Sequence, residues 1–328
     1  MSAASTAVGD TYRPQLLERR AQLRAAAGSV SAGYLDELIT EIDAALGKID
    51  GGSYGLCETC HDPIEADRLE QNPLVRFCLD HLSQAELLAH QQDLDLATQI
   101  QSKLLPPADI ALENWDTHYR YQPAGAVGGD YCALIVLGDG KSLFFVVGDV
   151  AGKGVAASLL MTHLSAIFRS LISLDLSLAE VVSRANRLFC EGTAPAHYAT
   201  LVCGRATPNG VELCNAGHCP PLLLRRDGTE RLDSTGLPLG LFCGGQYTVR
   251  RLSLGAGDSL VLYSDGITEA QDPLDTEFEE ERLIRSLREH VEHGIGAMAN
   301  GVLRQVNQFR QARPPGDDMT LLIVRRRG

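Results

Sequence analysis

The sequence lacks a hydrophobic run long enough to cross a membrane, an excess of basic residues and an amino-terminal secretion signal. No stretch approaches the roughly 20 apolar residues of a membrane span, and residues 1–10 are small and polar. Asp and Glu number 42 against 29 Lys and Arg, which gives a formal net charge of −13. Because general nucleic-acid binding needs a basic face, this balance argues against it. We therefore expect a cytoplasmic protein that binds neither membranes nor nucleic acids.

The nine cysteines do not indicate a disulfide scaffold, because their number is odd and the chain, at 328 residues, is large. Four residues instead form two metal-binding pairs: Cys57 with Cys60 at Cys-x2-Cys spacing, and Cys78 with His81 at Cys-x2-His spacing. This spacing is typical of tetrahedral zinc sites, so we predict one Zn2+ held by these four residues. His61 is a competing ligand beside Cys60, but the spacing favours His81 and leaves His61 as a neighbouring hydrogen-bond donor.

Four aspartates stand in four separate glycine-containing segments. An acid at the end of a buried strand is costly unless its charge is compensated, and Mg2+ and Mn2+ prefer carboxylate oxygens. Two such ions can clamp a phosphoryl group and ionise a bound water, so the set predicts phosphoester hydrolysis. The alternative reading of an isolated Asp-Gly segment is a turn, which explains four segments of the same form less well. The four are Asp130 in Val-Gly-Gly-Asp-Tyr, Asp149 in Val-Val-Gly-Asp-Val-Ala-Gly-Lys-Gly, Asp265 in Leu-Tyr-Ser-Asp-Gly-Ile-Thr-Glu-Ala, and Asp317 in Gly-Asp-Asp-Met-Thr.

The region from about 99 to 326 resembles the metal-dependent PPM-type (protein phosphatase 2C-like) serine/threonine phosphatases, and it is most similar to their bacterial sporulation and stress-response branch. Seven segments in the order of that family carry the resemblance. They are Gln99-Ile-Gln-Ser-Lys-Leu-Leu-Pro106, Gly128-Gly-Asp-Tyr131, Gly148-Asp-Val-Ala-Gly-Lys-Gly-Val-Ala-Ala157, Asn215-Ala-Gly-His218, Gly236-Leu-Pro-Leu-Gly240, Ser264-Asp-Gly-Ile-Thr-Glu269 and Asp317-Asp-Met-Thr320.

The resemblance implies a centre of two Mn2+ or Mg2+ ions. Asp149 would bridge both ions, with the Val150 carbonyl as a further ligand. Asp265 would also bind metal, and Asp130 and Asp317 would complete the site. The resemblance further implies a substrate that is a phosphorylated regulatory protein of the anti-anti-sigma type.

One departure from the wider family concerns substrate phosphate. Eukaryotic members place an arginine shortly before the first acid, whereas residues 123–130 contain none. Arg120 and Lys153 are near in sequence, and the sequence assigns the role to neither.

The segment Asn215-Ala-Gly-His218 indicates a turn between two strands, and the simplest reading is a hairpin with a polar tip. His218 is also a candidate for proton transfer to the leaving group, because imidazole titrates near neutral pH. Glu269 is a candidate for orienting a water or capping the next segment. No Ser, Cys or His lies in a nucleophile motif, so a covalent phospho-enzyme is not indicated.

The segment around the zinc pairs, from about 35 to 82, resembles the DksA/TraR zinc fingers and departs from their four-cysteine form at His81. In that family the finger often sits on a helical hairpin that enters RNA polymerase. Helices are predicted at 16–27 and 34–49, and the second carries an apolar stripe. The turn at 28–33 lacks the acidic tip of the polymerase-binding members, so the stripe indicates packing rather than polymerase binding.

Residues 83–105 form a predicted helix with apolar residues roughly on one face, stopped by Pro106 and Pro107. We favour a parallel dimeric linker that carries a signal into the phosphatase, and the alternative is a surface helix packed on its own domain. The chain thus divides into a helical hairpin (1–50), a zinc finger (51–82), a linker helix (83–106) and a phosphatase domain (107–328).

Strands are predicted at 117–121, 133–137, 142–147, 199–206, 211–214, 221–225, 247–252, 259–263 and 319–325. Helices are predicted at 155–174, 178–191, 278–292 and 295–311. Strand-like runs interrupted by paired helices favour an α+β arrangement. The resemblance specifies two packed antiparallel sheets flanked by helices, with the metal site at one edge. We predict an Mg2+/Mn2+-dependent protein serine/threonine phosphatase with zinc-finger input. Two rivals are a catalytically silent binding module, which the complete set of acids opposes, and an RNA-polymerase-binding transcription regulator, which the missing tip acids oppose.

Overall fold

A computed structural model describes residues 3–25, 32–81, 84–194 and 196–328. The chain divides into two compact units, Met1–Gln92 and Asp93–Gly328. This boundary falls within the segment predicted as a linker helix. The finer division of the chain into four parts stays a prediction.

The first unit begins with two helices, α1 (Ala3–Ala25) and α2 (Ala32–Asp50), which are longer than the predicted 16–27 and 34–49. Ile42 and Leu46 of α2 are buried against Leu16 of α1, which confirms the packing role of the apolar stripe. The predicted turn at 28–33 lies mostly outside the described residues. Beyond it, the short helix α3 (Ala66–Gln71) and a 3-10 turn (Leu79–His81) complete the finger.

Helix α4 (Gln84–Leu104) agrees closely with the helix predicted at 83–105. Its described apolar residues do not all share one environment. Leu94 and Leu104 are half-buried. The side chains of Leu87, Leu88, Leu96 and Ile100 are about half exposed, between 49% and 60%.

The second unit is built on two antiparallel sheets. The six-stranded sheet has the order β1-β2-β11-β10-β7-β8, and the five-stranded sheet has the order β3-β4-β5-β6-β9. The strands are β1 (Asp109–Ala111), β2 (Trp115–Gln122), β3 (Tyr131–Val136), β4 (Leu143–Val150), β5 (Ala199–Thr207), β6 (Gly210–Ala216), β7 (Leu222–Leu224), β8 (Thr229–Arg231), β9 (Arg250–Leu252), β10 (Ser259–Tyr263) and β11 (Met319–Arg326).

Alternation along the strands gives each sheet two buried faces. In β4, Phe145 and Val147 belong to the core between the sheets, whereas Phe144 and Val146 belong to the core under the helices. Because both faces are covered, β4 and β11 are nearly continuous apolar runs rather than alternating ones. This accounts for their clear signal in the sequence.

Helices cover both outer faces. Helices α5 (Gly154–Ile172) and α6 (Leu178–Gly192) pack on the five-stranded sheet, and α8 (Glu279–Glu289) and α9 (Ile295–Arg310) pack on the six-stranded sheet. Helix α6 begins with a capping box in which Ser177 and Glu180 satisfy each other's backbone N–H groups. A short helix, α7 (Asp265–Thr268), follows β10 directly. The predicted α+β sandwich of two antiparallel sheets is confirmed.

Helix α5 corrects the expectation that no segment approaches the length of a membrane span. Among the described residues it is the one helix long and apolar enough, with a mean hydropathy of 1.5 over 18 residues. Its Met161, Leu164 and Phe168 recur at helical spacing and are buried in the core beneath the five-stranded sheet. The burial of this face accounts for its apolar composition.

Candidate metal centres

The five-stranded sheet contributes two aspartates at one edge. Asp149 is the penultimate residue of β4 and lies opposite Thr200 of β5. The strand therefore continues past the predicted end at Val147. Asp130 immediately precedes β3, whose first residue, Tyr131, pairs with Gly148 of β4. Antiparallel register thus brings Asp130 beside Asp149.

The six-stranded sheet contributes two more. Asp265 begins α7, two residues after Tyr263 ends β10, and Tyr263 pairs with Leu321 of β11. Asp317 lies just before β11. Both acids are close enough to Asp149 to repel its charge. The fold thus gathers all four predicted aspartates at one edge of the sandwich.

Burial and repulsion between carboxylates raise the pKa values of Asp130, Asp149 and Asp265. Burial, with repulsion from Asp265 and Asp317, raises the pKa of Asp149 to about 7. Burial also raises the pKa of Asp265, again with a contribution from Asp317. Asp130 is 2% exposed, and burial raises its pKa well above the usual range despite the hydrogen bond that it accepts from Thr320. Buried carboxylates that repel one another form a site that favours cations.

The donor set fits a hard divalent cation. A Cβ on Gly129 would lie 3.1 Å from the Val150 carbonyl oxygen, which is closer than a normal contact, so glycine leaves that carbonyl uncrowded beside Asp149. Carboxylate and carbonyl oxygens are the ligands that Mg2+ and Mn2+ prefer. The residues present therefore fit the implied ions.

Asp318 is a buried acid that the sequence reading missed. Its Oδ1 accepts a 2.8 Å hydrogen bond from the Ala124 N–H, and its Oδ2 accepts one of 2.6 Å from the Gly129 N–H. Thr320, two residues on, donates a 2.6 Å hydrogen bond to Asp130 Oδ2. Asp318 and Thr320 thereby hold the loop that carries the first acid. The adjacent pair Asp317-Asp318 was a signal, but the sequence does not show which of the two faces inward.

Gln101 of α4 is a second residue that the sequence reading did not single out. Its side chain is 5% exposed. Its Nε2 donates a 2.7 Å hydrogen bond to the Gly128 carbonyl, and its Oε1 accepts one of 3.2 Å from the Gly128 N–H. A Cβ on Gly128 would lie 2.0 Å from Asp318 Oδ2, so the loop has no room for a larger residue there. The end of α4 is therefore fastened to the loop of Asp130.

The two basic residues noted near the acids in sequence are far from equivalent in the fold. Arg120 donates to Asn300 Oδ1 at 3.0 Å and to the Tyr119 carbonyl, and so faces α9. Lys153 Nζ lies 3.0 Å from Asp317 Oδ2 and donates to the Gly316 carbonyl at 2.7 Å. Lys153 alone of this pair lies at the acidic site.

His218 is a buried residue, 6% exposed, whose Nδ1 lies 2.8 Å from the Thr200 hydroxyl. Burial lowers its pKa to about 4, which corrects the expectation that its imidazole titrates near neutral pH. Its backbone N–H donates to Asn215 Oδ1 at 2.8 Å, in the predicted turn. Glu269 is an exposed residue at the edge of the acidic site. Partial burial of its carboxyl raises its pKa, and repulsion from Asp265 adds to this.

The four predicted zinc ligands converge in the first unit. Ligand atoms of Cys57, Cys60, Cys78 and His81 all lie within 4.8 Å of one another, and in the described parts of the chain they are the only such group. Burial opposes ionisation of the Cys57 thiol, but hydrogen bonds from the backbone of Cys60 and Cys78 outweigh it and lower the pKa to about 6. His61 is exposed and stands outside the group. The donor set of three thiols and an imidazole suits Zn2+.

Two packed antiparallel sheets flanked by helices define the fold of the protein phosphatase 2C class. Residues 139–327 match the Stage II sporulation protein E (SpoIIE) family, and the chain belongs to that family. Residues 52–80 match the prokaryotic dksA/traR C4-type zinc finger. That match ends just before His81, which stands where the four-cysteine form has its last ligand.

The chain is also similar to several known proteins. Protein IcfG of Synechocystis sp. is 29% identical over 229 residues, and Phosphoserine phosphatase RsbU of Bacillus subtilis is 25% identical over 244 residues. The matches cover 60% and 72% of this chain, respectively. The structure of the RsbU and RsbW domains of Rv1364c from Mycobacterium tuberculosis is 28% identical, with a TM-score of 0.56 and 68% of this chain covered.

The chain spans only part of some relatives. It covers 35% of IcfG and 62% of the Rv1364c chain, but 71% of RsbU.

Proposed function

We propose that this protein is a metal-dependent protein serine/threonine phosphatase. The observation that carries the proposal is the convergence of Asp149, Asp265 and Asp317 at one edge of the sandwich, where burial and mutual repulsion raise the pKa values of Asp149 and Asp265. Membership of a family with PP2C-type phosphatases supports it. Such a cluster has little use in a silent binding module, because it destabilises the fold unless cations offset its charge.

Each residue has a role in the proposed reaction. Asp149, Asp265, Asp317, Asp130 and the Val150 carbonyl would hold two Mn2+ or Mg2+ ions. When bound, such ions ionise water and neutralise the charge of a transferring phosphoryl group. Thr320 and Asp318 fix the loop of Asp130 by hydrogen bonds, so that the first acid is held in place before substrate binds.

His218 fits a structural role in this proposal better than proton transfer. A neutral, buried imidazole that is hydrogen-bonded to Thr200 orients the turn after β6. Glu269 is exposed at the edge of the site and is better placed than His218 for proton transfer. This assignment is tested by the pH profile of His218→Asn, which should keep the wild-type shape.

We propose a phosphorylated regulatory protein of the anti-anti-sigma type as the substrate and the cytoplasm as the compartment. The support is similarity to a relative named as a phosphoserine phosphatase and to a structure that combines RsbU and RsbW domains. We also propose one Zn2+ in the finger and a homodimer formed through α4. The exposed Leu96 and Ile100 on that helix favour pairing with a second copy.

The function is tested by phosphate release from peptides that carry phosphoserine, phosphothreonine or phosphotyrosine. We expect release from the first two with added Mn2+ and none without it. Release from phosphotyrosine alone, or the same rate without added metal, would contradict the proposal. For the dimer, sedimentation of Leu96→Glu should show a monomer where the unaltered chain shows a dimer.

A further inference from the structure

We propose that Lys153 binds the phosphoryl group of the substrate, the role that in eukaryotic relatives is served by an arginine missing before Asp130. This inference rests on the proposed phosphatase function. The phosphate contact would then come from the segment between β4 and α5 and not from the residues before Asp130. Arg120 is excluded because Asn300 and the Tyr119 carbonyl hold its guanidinium.

The backbone places Lys153 at the acids in a defined conformation. It lies between Gly152 and Gly154, whose φ angles of +118° and +69° are strained for any residue with a side chain. Lys153 itself is extended, with φ −136° and ψ 161°, immediately before the first turn of α5. The two glycines therefore set the direction in which its side chain leaves the loop.

Two cavities, of about 270 and 230 Å³, meet at this side chain, and Lys153 and Asp317 line both. The first is otherwise lined largely by small residues and backbone of the loop at 124–128. The second also contains Arg310 and Arg313. Arg313 is paired with Asp275 at 2.6 Å, and Arg310 donates to the Arg313 carbonyl. Of the three basic residues that line these cavities, Lys153 alone is directed at the acids.

The positive charge of Lys153 can attract substrate phosphate as well as pair with Asp317. A phosphate monoester is an anion and is repelled by the carboxylates of the site. Lys153 is paired with Asp317, but its side chain is 70% exposed, so the pair is weak and its amine can move. The ammonium has three donors, so it can turn from Asp317 to phosphate oxygens. The lysine would thus exchange a carboxylate partner for the substrate.

The experiment compares Lys153→Met and Lys153→Arg with a matched control, Lys141→Met. Lys141 is also exposed and is paired with one carboxylate, Glu113, at 3.4 Å. It lies beyond the opposite end of β4 from Asp149. Each variant is assayed for KM and kcat with p-nitrophenyl phosphate at saturating Mn2+. The affinity for inorganic phosphate is measured by calorimetry under the same conditions.

We expect Lys153→Met to raise the KM and the phosphate Kd by about tenfold and to change kcat less, because a charge-assisted hydrogen bond to phosphate is lost. Lys153→Arg should restore most of both, and Lys141→Met should match the unaltered protein. An unchanged KM and phosphate Kd in Lys153→Met would overturn the inference.

An effect that is present at limiting Mn2+ and absent at saturating Mn2+ would also overturn it, because Lys153 would then act only on Asp317. Failure of the unaltered protein to release phosphate from any substrate contradicts the proposed function instead. The calorimetric measurement then still reports whether Lys153 binds phosphate. The two failures are thereby separated.

Discussion

The carboxylate of Asp318 accepts a hydrogen bond of 2.6 Å from the backbone N–H of Gly129, which lies 189 positions earlier in the chain. A second bond, from Ala124, reaches the other oxygen of the same carboxylate. The start of β11 thereby holds the loop that carries Asp130. The two neighbouring aspartates thus differ in role. Asp318 anchors the loop at 124–129 by hydrogen bonds, whereas Asp317 lies among the acids near Asp149.

We predict that Asp318→Ala lowers the free energy of unfolding by about 2–4 kcal/mol, because buried N–H donors lose a charged partner. Chemical denaturation monitored by circular dichroism measures this. The matched control is Asp317→Ala, which removes an exposed ion pair with Lys153 and should cost less than about 1 kcal/mol. Equal losses in the two variants would show that Asp318 has no special structural role.

The pKa of Asp149 predicts how stability depends on pH when no Mn2+ or Mg2+ is added. The folded protein keeps a proton on this group up to about pH 7, whereas the unfolded chain loses it near the ordinary value of 3.8. Between these values the folded state binds more protons, so stability falls as the pH rises. The loss from pH 5 to 7.5 should be on the order of 2 kcal/mol.

The control for that measurement is Asp149→Asn, which has no carboxyl to titrate. It should lose less stability over the same range, and without added metal it should be more stable than the unaltered protein at pH 7.5. Added Mn2+ should stabilise the unaltered protein and not the variant. Parallel pH profiles for the two proteins would contradict the assignment of Asp149 to a repulsive cluster.

The finger should bind one Zn2+ per chain. His81→Cys should keep it, because a fourth thiolate completes a tetrahedral site, and His81→Ala should bind it more weakly. The Cys57→Ser, Cys60→Ser double variant should lose it. Elemental analysis of protein purified under reducing conditions measures the content. His61→Ala is the control and should retain zinc, so loss of zinc there would exchange the roles of the two histidines.

Gln101 connects α4 to the loop of the first acid, so Gln101→Leu should reduce phosphatase turnover about tenfold or more through displacement of that loop. Gln99→Leu is the control, because Gln99 lies on the same helix with an exposed side chain. The same contact predicts that an active catalytic fragment must include Gln101. A fragment starting at Pro107 lacks Gln101 and should be less active than one starting at Asp93.

Much of the fold was predictable because buried elements have strong local patterns. The strand predicted at 259–263 coincides with β10, and α6 and α9 lie within a residue of their predicted ends. Strands β1 and β8 were missed, because each has three residues, lies at a sheet edge and has no buried apolar residue. Their pairing depends on neighbouring strands rather than on their own sequence.

The site was predictable in composition but not in its supporting contacts. Asp149 and Asp265 are marked by the apolar runs before them. Asp318 and Gln101 have no such mark, because their partners at Gly129 and Gly128 are distant in sequence and hydrogen bonds to backbone carry no side-chain pattern. The low pKa of His218 could not be predicted either, because it results from burial of the side chain in the tertiary structure.

The most direct test of the account compares the unaltered chain, Asp149→Asn and Asp139→Asn in Mn2+-dependent phosphate release from a phosphoserine peptide. Asp139 is a control from the exposed β3–β4 turn. We predict that Asp149→Asn loses turnover by at least about a thousandfold while its circular dichroism spectrum is retained, and that Asp139→Asn stays within about twofold of the unaltered chain. Near-normal turnover by folded Asp149→Asn would contradict the assignment of this edge as the catalytic metal site.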